Sequence, residues 1–164
     1  MFWMLLPVLW AAPGEALEGS WVLEPARSEP IDPLLEALGV SWLERRAAER
    51  LVPEQDIAVA ADGQTVTITS RPTPGATGTE NTLRVDGQLR PSVGMPGFET
   101  ARHDWEADGS LVTVMRGQAP DGAPMTAVVS RGLDGSGVLV QQIYLEVDRE
   151  EPYTLRVNRV FRRK

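Results

Sequence analysis

The sequence closes on Tyr153-Thr154-Leu155-Arg156-Val157-Asn158-Arg159-Val160-Phe161-Arg162-Arg163. Tyr153, Leu155, Val157, Arg159, Phe161 and Arg163 fall on one parity, and Thr154, Arg156, Asn158, Val160 and Arg162 on the other. This period of two sends successive side chains to opposite faces of a β-strand. The first face is apolar until arginines enter it. A guanidinium on a buried face needs a partner, because an isolated buried charge costs several kcal/mol. Arg159 therefore asks what the rest of the chain, or a ligand, offers it.

Working outward, everything after Pro53 reads as strands of the same kind. Asp-Gly occurs five times, at Asp62-Gly63, Asp86-Gly87, Asp108-Gly109, Asp121-Gly122 and Asp134-Gly135. Between alternating runs this dipeptide is the strongest short-range hairpin signal. The runs are 56–60, 65–71, 79–85, 88–90, 99–107, 110–117, 124–131, 138–147 and 153–163, and 18–23 opens the set. No long crossover helix separates them, so the expected fold is all-β, a ten-stranded antiparallel up-and-down β-barrel. Closure removes the exposed edges that an open sheet would carry. The inward faces are expected to include Gln142, Thr126 or Arg131, and Arg159. Guanidiniums inside point to a barrel that encloses a ligand cavity rather than one filled by its own side chains.

Two short helices are expected between the first and second strands. Asp32 can cap the first, with Pro33 at the first helical position, where its missing N–H costs nothing. Leu34, Leu35 and Leu38 follow at helical spacing, and Gly39 ends the turn. Ser41 and Glu44 form a capping box for the second, and Pro53 closes it. Arg45, Arg46, Glu49 and Arg50 read as a solvated face.

A chain of 164 residues, 42% hydrophobic, suits one domain with a real core. Its net charge of −7, from 23 acids and 16 bases, argues against a nucleic-acid partner. The late bases, Arg156, Arg159, Arg162, Arg163 and Lys164, read chiefly as a solvated edge. The absence of cysteine excludes disulfides and thiolate metal sites, and a single histidine excludes a multi-histidine one. His103 beside Asp104 reads as a hydrogen-bonded strand residue rather than an acid–base catalyst. Gly132 to Gly137 is a hairpin turn with no helix behind it, hence no phosphate loop. No catalytic set or cofactor motif is visible, so a non-enzyme is expected. At the other end, Phe2 to Ala12 is an apolar run of 11 residues, too short to span a bilayer and suited to a signal-peptide core. Gly14-Glu15-Ala16 allows cleavage after Ala16, which would make residues 1–16 a signal peptide and 17–164 the domain, secreted or periplasmic. No Lys or Arg precedes the run, so a cytoplasmic protein with an apolar N-terminal extension is the alternative.

The order of these features resembles the fatty acid-binding proteins, intracellular lipid-binding β-clams of the calycin superfamily. Gly19-Ser20-Trp21 is similar to their opening Gly-x-Trp, and Ile31 to Val40 resembles their first helix with its Ala-Leu-Gly-Val turn. Arg45, Pro53, the Asp-Gly hairpins and the closing Arg-x-aromatic fall in family order. The resemblance implies a two-helix lid over a monomeric barrel that binds and transports a long-chain fatty acid or related lipid, without a cofactor. It matches Arg131 and Arg159 to the family's carboxylate-binding arginines, and lets Ile31, Leu34 and Leu35 touch the acyl chain. Transient membrane contact through the lid goes with it. Phe161 stands where the family has tyrosine, and loses a donor worth about 1–3 kcal/mol. Gln142, Thr126, Tyr144 or a water is left to replace it. A guanidinium fork fits a carboxylate in two bonds, so the physical reading agrees. The alternative is a structural or partner-binding barrel, its arginines paired with acids such as Glu80, Glu99 or Asp104. Trp21 is expected in the barrel base.

Overall fold

The computed structural model describes residues 12–164, so most of the apolar run from Phe2 lies outside the described residues. A single 3-10 turn, Glu15–Leu17, leads into β1 (Gly19–Leu23). Helices α1 (Asp32–Ala37) and α2 (Trp42–Ala48) follow. Then come β2 (Glu54–Val59), β3 (Thr65–Arg71), β4 (Thr79–Arg84), β5 (Arg90–Pro91), β6 (Phe98–Trp105), β7 (Leu111–Gln118), β8 (Pro124–Leu133), β9 (Leu139–Val147) and β10 (Tyr153–Arg163). All ten form one antiparallel sheet in the order β4-β3-β2-β1-β10-β9-β8-β7-β6-β5, curled into a clam. The closing strand sits at its centre, with Trp21 opposite Arg163 on one side and Gln141 opposite Arg159 on the other.

The turns follow from the sequence. In each Asp-Gly the aspartate accepts the backbone N–H two residues on, as at Asp62 from Gln64 (2.8 Å) and Asp134 from Ser136 (2.8 Å). Two expectations need correction. Asp86-Gly87 makes no hairpin, because β4 and β5 do not pair and are the two edges of the sheet. The Gly87 N–H bonds to the carbonyl of His103 instead, so the segment is drawn toward β6. In the last turn the left-handed residue is Gly137 (φ 80°), not Gly135.

The lid helices are built largely as read. Ser41 and Glu44 make the capping box, and Gly39 takes φ 78° after α1, where a side chain would also strike Pro120. Asp32, however, does not cap α1. It is the first residue of the helix and its carboxylate accepts from Arg45 Nε at 3.0 Å. Arg45 also reaches Glu36 at 3.2 Å and is 12% exposed, so it ties α2 to α1 rather than facing solvent.

The core has two parts. Under the lid, Leu34 packs with Phe98, Met115, Met125, Leu145 and Val147. At the base, Leu17, Trp21, Ile57, Val66, Leu111, Leu139 and Phe161 pack together. Arg163 caps the base, with its guanidinium 4.3 Å from the Trp21 ring centroid and bonded to the carbonyls of Ala16 and Glu18. Residues 12–17 belong to this base, since Trp21 donates to the Leu17 carbonyl at 3.0 Å and a Cβ at Gly14 would fall inside the Trp105 ring. Among the described residues no helix is long and apolar enough to cross a membrane.

Candidate functional site

Between the two apolar clusters lies a polar layer. Register places Arg131 (β8) opposite Gln141 (β9), and Gln141 opposite Arg159 (β10). All three belong to the inward parity, so two guanidiniums flank one carboxamide in a single cross-strand row. Neighbouring strands are about 4.8 Å apart, which sets the Cα atoms of the arginines about 10 Å from each other. Gln55 of β2 reaches across to this row. Its carboxamide donates to Gln141 Oε1 (3.3 Å) and accepts from Arg131 Nε (3.4 Å).

Two pockets meet at this layer. One, of about 350 Å³, runs toward the unpaired β4–β5 edge and is lined by Ile68, Asn81, Met95, His103, Thr113 and Met115, among others. The other, of about 290 Å³, lies under the lid against Ile31, Leu35, Ile143, Arg159 and Phe161. Ser70, Arg131 and Gln141 line both. Each volume sits near the lower end of the roughly 300–1,000 Å³ usual for small-molecule sites.

The electrostatics of the layer are one-sided. Burial alone brings Arg131 down to about 10, and lowers Arg159 as well, with no acid pulling either back. Arg131 is half-buried and lines both pockets. Among the described residues no carboxylate lies within 4 Å of either guanidinium. The acids considered as internal partners are elsewhere. Asp104 pairs with Arg102 at 3.0 Å, and Glu80 and Glu99 are exposed. A pair of half-buried cations with unfilled donors attracts an anion.

Of the residues singled out in the sequence, Arg131, Arg159, Phe161, Ile31 and Leu35 line these pockets. Leu34 is 2% exposed and belongs to the core beneath the lid. Gln142 is misplaced by one residue: it is exposed, opposite Asn158 and Ser130 on the outer face. Thr126 and Tyr144 share that outer face, where Tyr144 bonds Glu146 at 3.2 Å. The donors that adjoin the arginines are Gln141 and Gln55. Both could have been found by parity, since Gln141 alternates with Ile143, Leu145 and Val147, and Gln55 with Ile57. Phe161 is 3% exposed and packs in the base.

Solved structures share this architecture. Caenorhabditis elegans lipid binding protein 8 superposes with a TM-score of 0.68 over 91% of this chain and 96% of that one, at 15% identity. A Schistosoma mansoni fatty acid binding protein in complex with arachidonic acid gives 0.67 over 93% and 98%, at 18% identity. The chain has the fold of the intracellular lipid-binding proteins. Human cRBP IV gives 0.60 over 90% and 98%, at 19% identity. At such identities the likeness is one of fold. No family model and no curated protein matches the sequence. The polar layer of this chain combines Arg131, Arg159, Gln55 and Gln141, with Phe161 beside it. The neighbours are binding or transport proteins rather than enzymes.

Proposed function

We propose that this protein binds and carries a long-chain fatty acid or similar hydrophobic carboxylate inside the clam. The head group lies between Arg131 and Arg159, and Gln141 and Gln55 supply the neutral donors. The observation that carries the reading is the row Arg131–Gln141–Arg159, inward-facing and without an acid within 4 Å among the described residues. The hydrocarbon chain runs along Ile31, Leu35 and Ile143 or toward Met95 and Met115. With Phe161 in the base, the clamp works without a phenol, and the glutamines offset the lost donor.

Loading and release are proposed at the lid of the monomeric protein. Trp42 is 61% exposed and Leu43 73%, with Arg46 5.8 Å from the Trp42 ring centroid, an apolar and basic pair suited to brief contact with an anionic membrane. Replacing both apolar residues by serine is expected to slow ligand transfer to anionic vesicles. Export with cleavage after Ala16 also stays part of this reading. It removes the Ala16 carbonyl that Arg163 uses, and the intact mass of the protein from its host tells whether it occurs.

The test is a titration of the delipidated protein with a fluorescent fatty acid. Arg131→Ala and Arg159→Ala are each expected to weaken binding roughly 10- to 100-fold, the scale of a lost charge-assisted hydrogen bond. No binding by the wild type, or binding by both variants as tight as the wild type's, overturns the head-group assignment.

A further inference from the structure

His103 and Thr113 are 7% and 6% exposed, and both line the larger pocket beside Arg131 and Gln141. His103 Nδ1 lies 2.8 Å from Thr113 Oγ1. The other ring nitrogen, Nε2, makes no hydrogen bond with any described residue and is not sealed off, in a side chain that lines the pocket. The rest of its cross-strand row, Val129, Ile143 and Val157, is apolar. That row lies two residues along the strands from the Arg131 row, which places the Cα atoms of His103 and Arg131 about 12 Å apart. A carboxylate held at Arg131 would thus send its chain past His103 a few carbons later.

We propose that His103 and Thr113 form a second polar station that receives a hydroxyl on the ligand's chain, so that the preferred ligand is a hydroxylated fatty acid. This rests on the carboxylate reading above and narrows it. A second carboxylate fits less well, because burial and the Arg131 charge both hold the imidazole in its neutral form. A neutral imidazole offers one donor and one acceptor, and Thr113 can satisfy Nδ1 in either tautomer. Nε2 is then left to donate or to accept, and a hydroxyl does both. A plain hydrocarbon chain would leave Nε2 dry and unpaired, at the cost of its desolvation.

The test uses the delipidated full chain and displacement of a fluorescent fatty acid. Octadecanoic acid is compared with a series of its mid-chain monohydroxy derivatives. At least one positional isomer is expected to bind about fivefold more tightly than the parent, the scale of one neutral hydrogen bond. His103→Leu is expected to reverse that order, and the nearly isosteric Thr113→Val to erase it. If no isomer outbinds the parent, or the preference survives both substitutions, the hydroxyl station is wrong. Parent acid that binds through Arg131 without any hydroxyl preference sinks this proposal alone. Parent acid that does not bind at all takes the carboxylate reading down with it.

Discussion

Arg131 shows how function and stability pull apart at a single residue. Its charge is held inside with one weak neutral partner, Gln55 at 3.4 Å. An uncompensated, partly desolvated charge destabilises the empty protein, so Arg131→Met is expected to raise the stability of the ligand-free form by about 1 kcal/mol while removing high-affinity acid binding. Urea midpoints with and without ligand check both halves, and a destabilised ligand-free variant would show that Arg131 is structural. His103 gives the matching pH effect. Burial first, then the Arg131 charge, lowers its pKa below the ordinary value of 6.5. Above that value the ring is neutral folded or unfolded and contributes nothing. As pH falls through it, the unfolded chain takes up a proton that the folded one refuses, and stability declines. His103→Gln is expected to flatten this part of the profile, read as urea midpoints between about pH 8 and pH 5. Strand parity was legible at this scale and was misread at Gln142, Thr126 and Tyr144, which all lie on the outer face. Gln142 has the same chemistry as Gln141, and only the alternation with Ile143 and Leu145 tells which one faces inward.

At the scale of elements, helices and hairpins were legible because each is built from neighbours in sequence. The Ser41–Glu44 box and the Asx-type turns need only a few residues to form. What sequence distance hides is pairing, and the two misjudged elements show it. Arg45 looks like one of four charges on a solvated face, until α1 folds back and brings Asp32 and Glu36 to it. Arg45→Ala is therefore expected to cost about 1 kcal/mol, more than an exposed ion pair, and to speed ligand dissociation by loosening the lid; stopped-flow release measures it. Asp86-Gly87 has the hairpin dipeptide but no hairpin, since β4 finds its partner only in β3. Its aspartate instead holds Arg90 at 2.6 Å, and this lowers its pKa to about 2. The carboxylate contributes stability above its ordinary 3.8, and that contribution disappears as pH falls toward 2. Asp86→Asn is expected to remove this part of the acid sensitivity in an acid-unfolding titration. Asp86 is solvent-exposed, so the effect is small and is screened by salt.

For the whole molecule, the ten-strand order was legible and the gap in the sheet was not, because nothing in the spacing of 79–85 and 88–90 marks two strands as unpaired. The gap has a thermodynamic consequence. Edges β4 and β5 lack each other's hydrogen bonds, so in the empty protein they open more readily than the central β1, β10 and β9. The larger pocket takes walls from both sides of the gap, with Ile68, Thr79, Asn81 and Leu83 on one and Ala101, His103, Thr113 and Met115 on the other. A ligand there bridges what the backbone leaves apart. At about 100 times its dissociation constant it stabilises the folded state by about 2.7 kcal/mol, and any opening that breaks the pocket is suppressed to a similar degree. Hydrogen exchange is expected to slow on acid binding along β4 and β6, at sites as far from the lid as Leu83. Residues of β1 and β10 outside the pocket, which exchange mainly by global unfolding, gain only that global increment. Arg131→Met, which keeps the pocket and loses the head-group anchor, is expected to show neither change at the same acid concentration. Protection confined to α1 and α2 would instead place the ligand under the lid alone and exclude it from the space along the gap.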